Sequence, residues 1–173
     1  MFRRNDKGDA PSPNVYQMKQ KMLSIGDDFW IENGAGQRVF KVDGKALRIR
    51  KTLHLQDAAG NDRYLIKEKL VTVRDVMTIE TEAGPVATVK KALISPLRER
   101  YNVEHAAGGE WKVQGNIVDH QYEIDGPAGR IAEVGKKWFR VRDTYGVQVA
   151  PGQDDALVLA VTIVVDSMSH PAR

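Results

Sequence analysis

The sequence predicts a mainly β fold, with about twelve antiparallel strands closed into a barrel around one central, hydrophobic C-terminal α-helix. Three observations carry this expectation. The dipeptide Ala-Gly recurs at a fixed spacing, and short runs on either side of it alternate apolar with polar residues. Near the end, the stretch "DDALVLAVTIVVDSMSH" at 154–170 holds no charge and a single hydroxyl between Ala156 and Val165.

The repeat comes first, because internal periodicity decides architecture. Ala35-Gly36, Ala59-Gly60, Ala83-Gly84 and Ala107-Gly108 each stand 24 residues after the last, and Ala128-Gly129 follows. Arginine stands ten residues before the glycine in "LRIRKTLHLQDAAG", "VTVRDVMTIETEAG", "SPLRERYNVEHAAG" and "FRVRDTYGVQVAPG" (Arg50, Arg74, Arg98 and Arg142), and weaker copies are "LSIGDDFWIENGAG" and "NIVDHQYEIDGPAG". A solenoid would give a similar period, but it needs near-identical stacked units with capped ends. These units vary too much for that.

A first strand falls in "VYQMKQKML". Each unit then places two apolar residues at period two before its turn: Phe29 and Ile31, Leu53 and Leu55, Met77 and Ile79, Tyr101 and Val103, Tyr122 and Ile124, Tyr145 and Val147. That period marks a strand with one buried face. Second alternating runs follow the turns in "RVFKV", "RYLIKE", "PVATVK", "EWKVQ" and "RIAEV", so five units read as hairpins. The sixth has one strand only. Closure into a barrel removes the exposed edges that so many short strands would otherwise present.

The apolar stretch after the sixth strand is too short to cross a membrane, which takes about 20 residues. Its β-branched residues favour a last strand by propensity. Against that, Pro151 and Gly152 interrupt the chain, Asp154 suits a helix cap, and Asp155 suits a first turn. The segment therefore reads as a helix over about 154–169. Lacking a polar face, it must be enclosed by protein, and the barrel is the place for it.

Composition bounds the rest. At 173 residues, 42% hydrophobic and 28% charged, the chain suits a single globular domain over 15–173 preceded by a flexible tail at 1–14. The start, "MFRRNDKGDAPSPN", has no apolar run and does not read as a secretory signal. The absence of cysteine excludes disulfides and thiolate chemistry and suits a reducing cytoplasm. A net charge of +3 is too mild for a dedicated nucleic-acid binder.

The residues that carry a family likeness are "YQMKQKMLSIGDDFWI", "KKALISPLRERY", "QGNIVDH", "KKWFRVRDTYGV" and "PGQDDALVLAVTIVVDSMSH". Over about 15–170 the chain resembles the LURP-one-related proteins, relatives of phospholipid scramblases in the tubby C-terminal-like superfamily. The resemblance implies a twelve-stranded barrel around a hydrophobic C-terminal helix. It also implies an association with lipid, since tubby-like domains hold phosphoinositides through lysine and arginine on neighbouring strands. No motif transfers those positions one by one. The scramblases' acidic calcium segment and cysteine-rich region have no counterpart here.

No catalytic constellation is present. His54, His105, His120 and His170 lack metal-ligand spacing and read as surface or turn residues, and no G-x-S-x-G, Walker or H-E-x-x-H motif occurs. Asp143, Asp154 and Asp155 are weighed as a cation site near the helix start, with capping as the simpler role. Trp30, Trp111 and Trp138 fall in strand runs and are expected to pack in or on the barrel. The site expectation is basic: Arg48, Arg50, Lys67, Lys69, Arg140 and Arg142 lie at i, i+2 spacing, which sends each pair to one strand face. With Ile49 and Val141 inward, the arginines face outward, where adjacent strands would assemble a head-group patch. The competing arrangement has Glu68, Asp75 and Glu99 neutralise them across strands.

The expected function is thus a non-enzymatic, cytoplasmic binding or scaffold domain for anionic phospholipid or phosphoinositide head groups, without cofactor or metal. Its partner is an anionic membrane surface or an unidentified protein. The alternatives are a scramblase-like lipid-handling protein and a nucleic-acid-binding regulator, the latter disfavoured by charge.

Overall fold

A computed structural model describes residues 12–20, 28–43, 52–69, 76–92 and 99–169. Every Ala-Gly dipeptide of the repeat lies at a hairpin turn, and its glycine takes a left-handed φ, as at Gly60 (88°) and Gly84 (122°). The residue opening the turn supplies the remaining bonds. Asp57 Oδ1 accepts from the amides of Ala59 and Asn61 at 3.0 Å each, and Asn33 Oδ1 does the same for Ala35 and Gln37. These contacts hold the Asp57 carboxyl below its usual range, chiefly through Asn61.

The turns join five hairpins: β2 (Phe29–Asn33) with β3 (Arg38–Asp43), β4 (Thr52–Asp57) with β5 (Asp62–Glu68), β6 (Val76–Thr81) with β7 (Gly84–Ala92), β8 (Arg100–His105) with β9 (Glu110–Asn116), and β10 (Gln121–Gly126) with β11 (Gly129–Gly135). Two single strands complete the ring, β1 (Asn14–Lys19) and β12 (Thr144–Val149). All twelve pair antiparallel with their sequence neighbours, and β1 closes the barrel on β12 from Asn14↔Val149 to Lys19↔Thr144. The twelve-strand, hairpin-built barrel expected from the sequence is the one observed.

Inward positions follow the period-two pattern: Phe29, Ile31, Leu53, Leu55, Tyr101, Val103, Tyr122, Ile124, Tyr145 and Val147 are all buried. Met77 is only partly buried but packs against the same core. The helix α1 (Asp155–Ser169) fills the centre, with Ala156 to Asp166 and Met168 buried. A helix this apolar has no solvent face to lose, and burial of each aliphatic side chain contributes about 1.5–3 kcal/mol before entropy is subtracted.

The two ends of the barrel differ. The tight hairpin turns and the start of α1 share one, here the turn end. The other, the loop end, holds the last turn of α1 and two connections that the structure describes, residues 117–120 between β9 and β10 and residues 136–143 between β11 and β12. At the turn end, Asp154 caps α1 by accepting from the Leu157 amide at 3.1 Å. The hydroxyls of Tyr64 and Tyr16 donate to Asp154 and Asp155, and Asn14 Nδ2 donates to Asp155 at 2.7 Å.

Candidate functional site

The basic residues singled out in the sequence do not form one patch among the described residues. Arg48 and Arg50, with Ile49 between them, lie outside these. Lys67 projects from the outer face of β5 as expected, but Glu80 on β6 pairs with it at 2.8 Å. Lys69 is exposed just beyond β5. Arg140 and Arg142 sit on no strand; they belong to the 136–143 loop, and Val141 between them points to solvent at 59% exposure rather than inward. In the ring, β5 and β12 are separated by β4, β3, β2 and β1, so adjacent strands do not unite the lysine and arginine pairs. Of the expected neutralising carboxylates, Glu99 pairs with Lys91 at 3.0 Å, and Asp75 lies outside the described residues.

Two glycines explain why 136–143 leaves the sheet yet stays on it. Gly135 of β11 and Gly146 of β12 face each other in register. With no side chains there, the outer wall accepts aromatic rings. A Cβ on Gly146 would stand 2.8 Å from Trp138 Cε3 and 3.1 Å from Phe139 Cδ2, and one on Gly135 would stand 3.4 Å from Trp138 Cζ3. Trp138 thus packs on the barrel as expected, although from a loop. Lys137 lies 4.7 Å over the Trp138 ring and binds Glu133 at 2.7 Å.

The far end of the loop is pinned as well. The Thr144 hydroxyl donates to the Val141 carbonyl at 2.7 Å, the Gln20 amide donates to the Asp143 carbonyl at 2.8 Å, and Asp143 takes a left-handed φ of 58° that ends any extended run. Between these anchors Arg140 and Arg142 stand in solvent, the Arg142 side chain at 94% exposure with Asp143 at 3.6 Å. The result is a cationic loop whose backbone is anchored at both ends.

Beside it, an open cleft of about 440 Å³ runs along the outer wall, lined by Gln114, Gln121, Glu123, Glu133, Lys136 and Lys137 among others. Its charges are mixed. Glu133 already holds Lys137, so the cleft suits a zwitterionic or neutral group better than a bare phosphate.

The interior of the loop end holds a polar cluster that the sequence did not disclose. His120, expected at a surface or turn, does sit in the 117–120 turn, but its ring is turned into the barrel and 3% exposed. Its Nε2 lies 2.7 Å from Asp166 Oδ1 of α1, and the ring stacks on Tyr145 at 4.3 Å. A φ of 53° at His120 directs the side chain inward. Burial, reinforced by the Asp166 charge, pushes the Tyr122 and Tyr145 hydroxyls well above the usual tyrosine value. The Tyr122 hydroxyl approaches Thr162 without completing a hydrogen bond of ordinary geometry, and the Thr162 hydroxyl donates to the Val158 carbonyl at 3.0 Å. Of the other described histidines, His54 contacts Asp62 at 3.2 Å, and His105 packs edge-on to Trp111 at 4.4 Å with its Nε2 buried and making no hydrogen bond among the described residues. His170 lies outside the described residues.

The three aspartates weighed as a cation site do not gather. Asp143 precedes β12 and Asp154 and Asp155 follow it, which places them at opposite ends of a six-residue strand. At about 3.3 Å per residue they are roughly 20 Å apart. Asp154 and Asp155 instead cap and anchor α1. Among the described residues no group of three or more His, Asp or Glu side chains is arranged to hold a metal ion.

The family model described as LURP-one-related matches residues 14–166, from the first residue of β1 to the aspartate inside the barrel. The chain belongs to the LURP-one-related family. A solved structure shares the family's barrel: the X-ray structure of a protein from Arabidopsis thaliana superposes with a TM-score of 0.69 at 17% identity, covering 93% of this chain and 94% of that one. At that identity the likeness establishes the fold. No curated protein matches this chain. No helix among the described residues is long and apolar enough to cross a membrane.

Proposed function

We propose that this LURP-one-related barrel is a non-enzymatic, cytoplasmic binding domain that engages anionic phosphate head groups at a membrane surface. The observation that carries the reading is the 136–143 loop, where Lys136, Arg140 and Arg142 stand exposed with Asp143 as the loop's one carboxylate, on a backbone anchored by Trp138 and Thr144, while Lys137 is already held by Glu133. Guanidinium groups suit this task because their planar donors match phosphate oxygens in pairs.

The test is sedimentation with vesicles. Purified protein is expected to pellet with vesicles containing phosphatidylserine or a phosphoinositide and to stay in solution with phosphatidylcholine alone. Binding weakens as salt rises, because each surface cation contributes about 1 kcal/mol and is screened beyond roughly 8 Å at physiological ionic strength. Arg140→Glu combined with Arg142→Glu weakens binding at least tenfold without lowering the melting temperature. Wild-type protein that ignores anionic vesicles at low salt overturns the reading.

A further inference from the structure

Two large apolar side chains are strongly exposed among the described residues, Val118 at 56% and Val141 at 59%. Both lie on the loop end, Val118 within 117–120 and Val141 within 136–143, close to the start of β12. These connections are successive at that end, since the β10–β11 turn between them closes at the opposite end. Two to three strand spacings of about 4.8 Å separate Val118, next to β9 and β10, from Val141, next to β12, which puts the valines on the order of 10–15 Å apart around the rim. Val141 stands between Arg140 and Arg142, and Val118 stands beside Asp119, whose carboxylate is engaged by Asn116 Nδ2 at 2.7 Å. The described turn-end connections carry Gly, Ala and Pro at the corresponding places, with Glu82 the one charge among 34–36, 58–60, 82–83, 106–108 and 127–128.

Isolated exposed aliphatic residues need no explanation. A pair on one rim, next to a cationic loop with a fixed backbone, is a different arrangement. Water-facing valine is favoured by neither loop propensity nor solubility, whereas a short apolar tip flanked by arginines matches the layered chemistry of a bilayer surface, with phosphates outermost and acyl chains beneath. We infer that the barrel docks end-on to an anionic bilayer, inserting Val118 and Val141 below the phosphates while Arg140 and Arg142 hold the head groups. This rests on the head-group reading above and adds to it a depth, an orientation and two apolar contacts. The Thr144–Val141 bond and the Trp138 anchor keep the tip in place before contact.

The natural absence of cysteine makes the test direct. Val118→Cys, Val141→Cys and, as the opposite-end control, Ala59→Cys are each labelled with a polarity-sensitive fluorophore and mixed with vesicles of phosphatidylcholine and phosphatidylserine. Labels at 118 and 141 are expected to shift to the blue and to be quenched by lipids brominated in the upper acyl chain, and the label at 59 to do neither. Unlabelled Val118→Ser with Val141→Ser is expected to lose affinity by roughly tenfold per valine while keeping the salt dependence of wild type. If all the labelled proteins sediment with the vesicles but 118 and 141 respond no more than 59, the insertion is overturned and the head-group reading stands. If wild type fails to sediment with anionic vesicles at low salt, both fall.

Discussion

The turn end and the loop end of this barrel solve the same problem, how to seal a core filled by a helix, by opposite means. At the turn end, short connections with left-handed glycines repeat almost unchanged, and α1 is fastened by Tyr16, Asn14 and Tyr64 to two aspartates at the margin of the solvent. At the loop end the two described connections share nothing, and α1 is fastened by a histidine–aspartate contact sealed from water. Repetition marks the end where any compact turn suffices; variety marks the end where particular side chains are required. The cationic loop and both exposed valines belong to the second.

If that contrast is right, breaking the buried fastening should hurt most. His120→Ala and Asp166→Ala each remove the contact between these two side chains in the barrel interior. Each is expected to cost about 3–5 kcal/mol in urea unfolding, as removal of one partner from a buried pair does. The double variant should cost less than the sum, because residues in contact do not act independently. Additive losses would mean that the two side chains are not energetically coupled.

A smaller effect is expected at the turn end. Gly60→Val and Gly84→Val meet open space, so their cost is conformational alone, about 1–2 kcal/mol each for a β-branched residue at left-handed φ. Thermal melts that match wild type would remove the conformational reason for the repeating glycine.

The smallest effect separates the two ends by pH. Burial, then the hydrogen bonds to Asp155 and Asp154, raise the Tyr16 and Tyr64 hydroxyls above the usual tyrosine value. A raised pKa means that the folded state holds the proton more tightly. The stabilisation is therefore whole below about pH 10, where unfolded tyrosine titrates, and is lost as pH rises from there. Tyr16→Phe with Tyr64→Phe should cost about 1–2 kcal/mol at pH 8 and make the melting temperature fall less between pH 9 and 11 than in wild type. An unchanged alkaline slope would assign the pH dependence to other groups.

Most of the barrel was legible because its signals are local. Period-two alternation gave each inward face, and the glycine of each Ala-Gly pair gave each reversal. Asp154 and an apolar run too short for a membrane gave the helix. What escaped depends on register and on single dihedral angles. His120 and Asp166 are far apart in sequence, and nothing near His120 announces the left-handed φ that turns it inward. Asp166 is the first charged residue after the apolar run, and its place three residues after Ile163, on a helix without a solvent face, was a sign that it needed a buried partner. Arg140 and Arg142 alternate like strand residues, yet the facing glycines at 135 and 146 draw Trp138 and Phe139 onto the outer wall and pull the arginines into a loop. Only the pairing of β11 with β12 reveals that.

The closure of the ring through Asn14–Lys19 and Thr144–Val149 also governs how the molecule comes into being. A ribosome delivers the first stave of this barrel before all the others and the last after them, and the helix that fills it comes after both. Until then the hairpins form a growing open sheet with a free edge and an uncovered oily face. Pairings between distant parts of the chain are slow to form, and such unsealed sheets are prone to stick to one another. The finished protein hides its greasiest segment; the unfinished one has to wait for it, and that interval is when an open, oily sheet is most prone to aggregate.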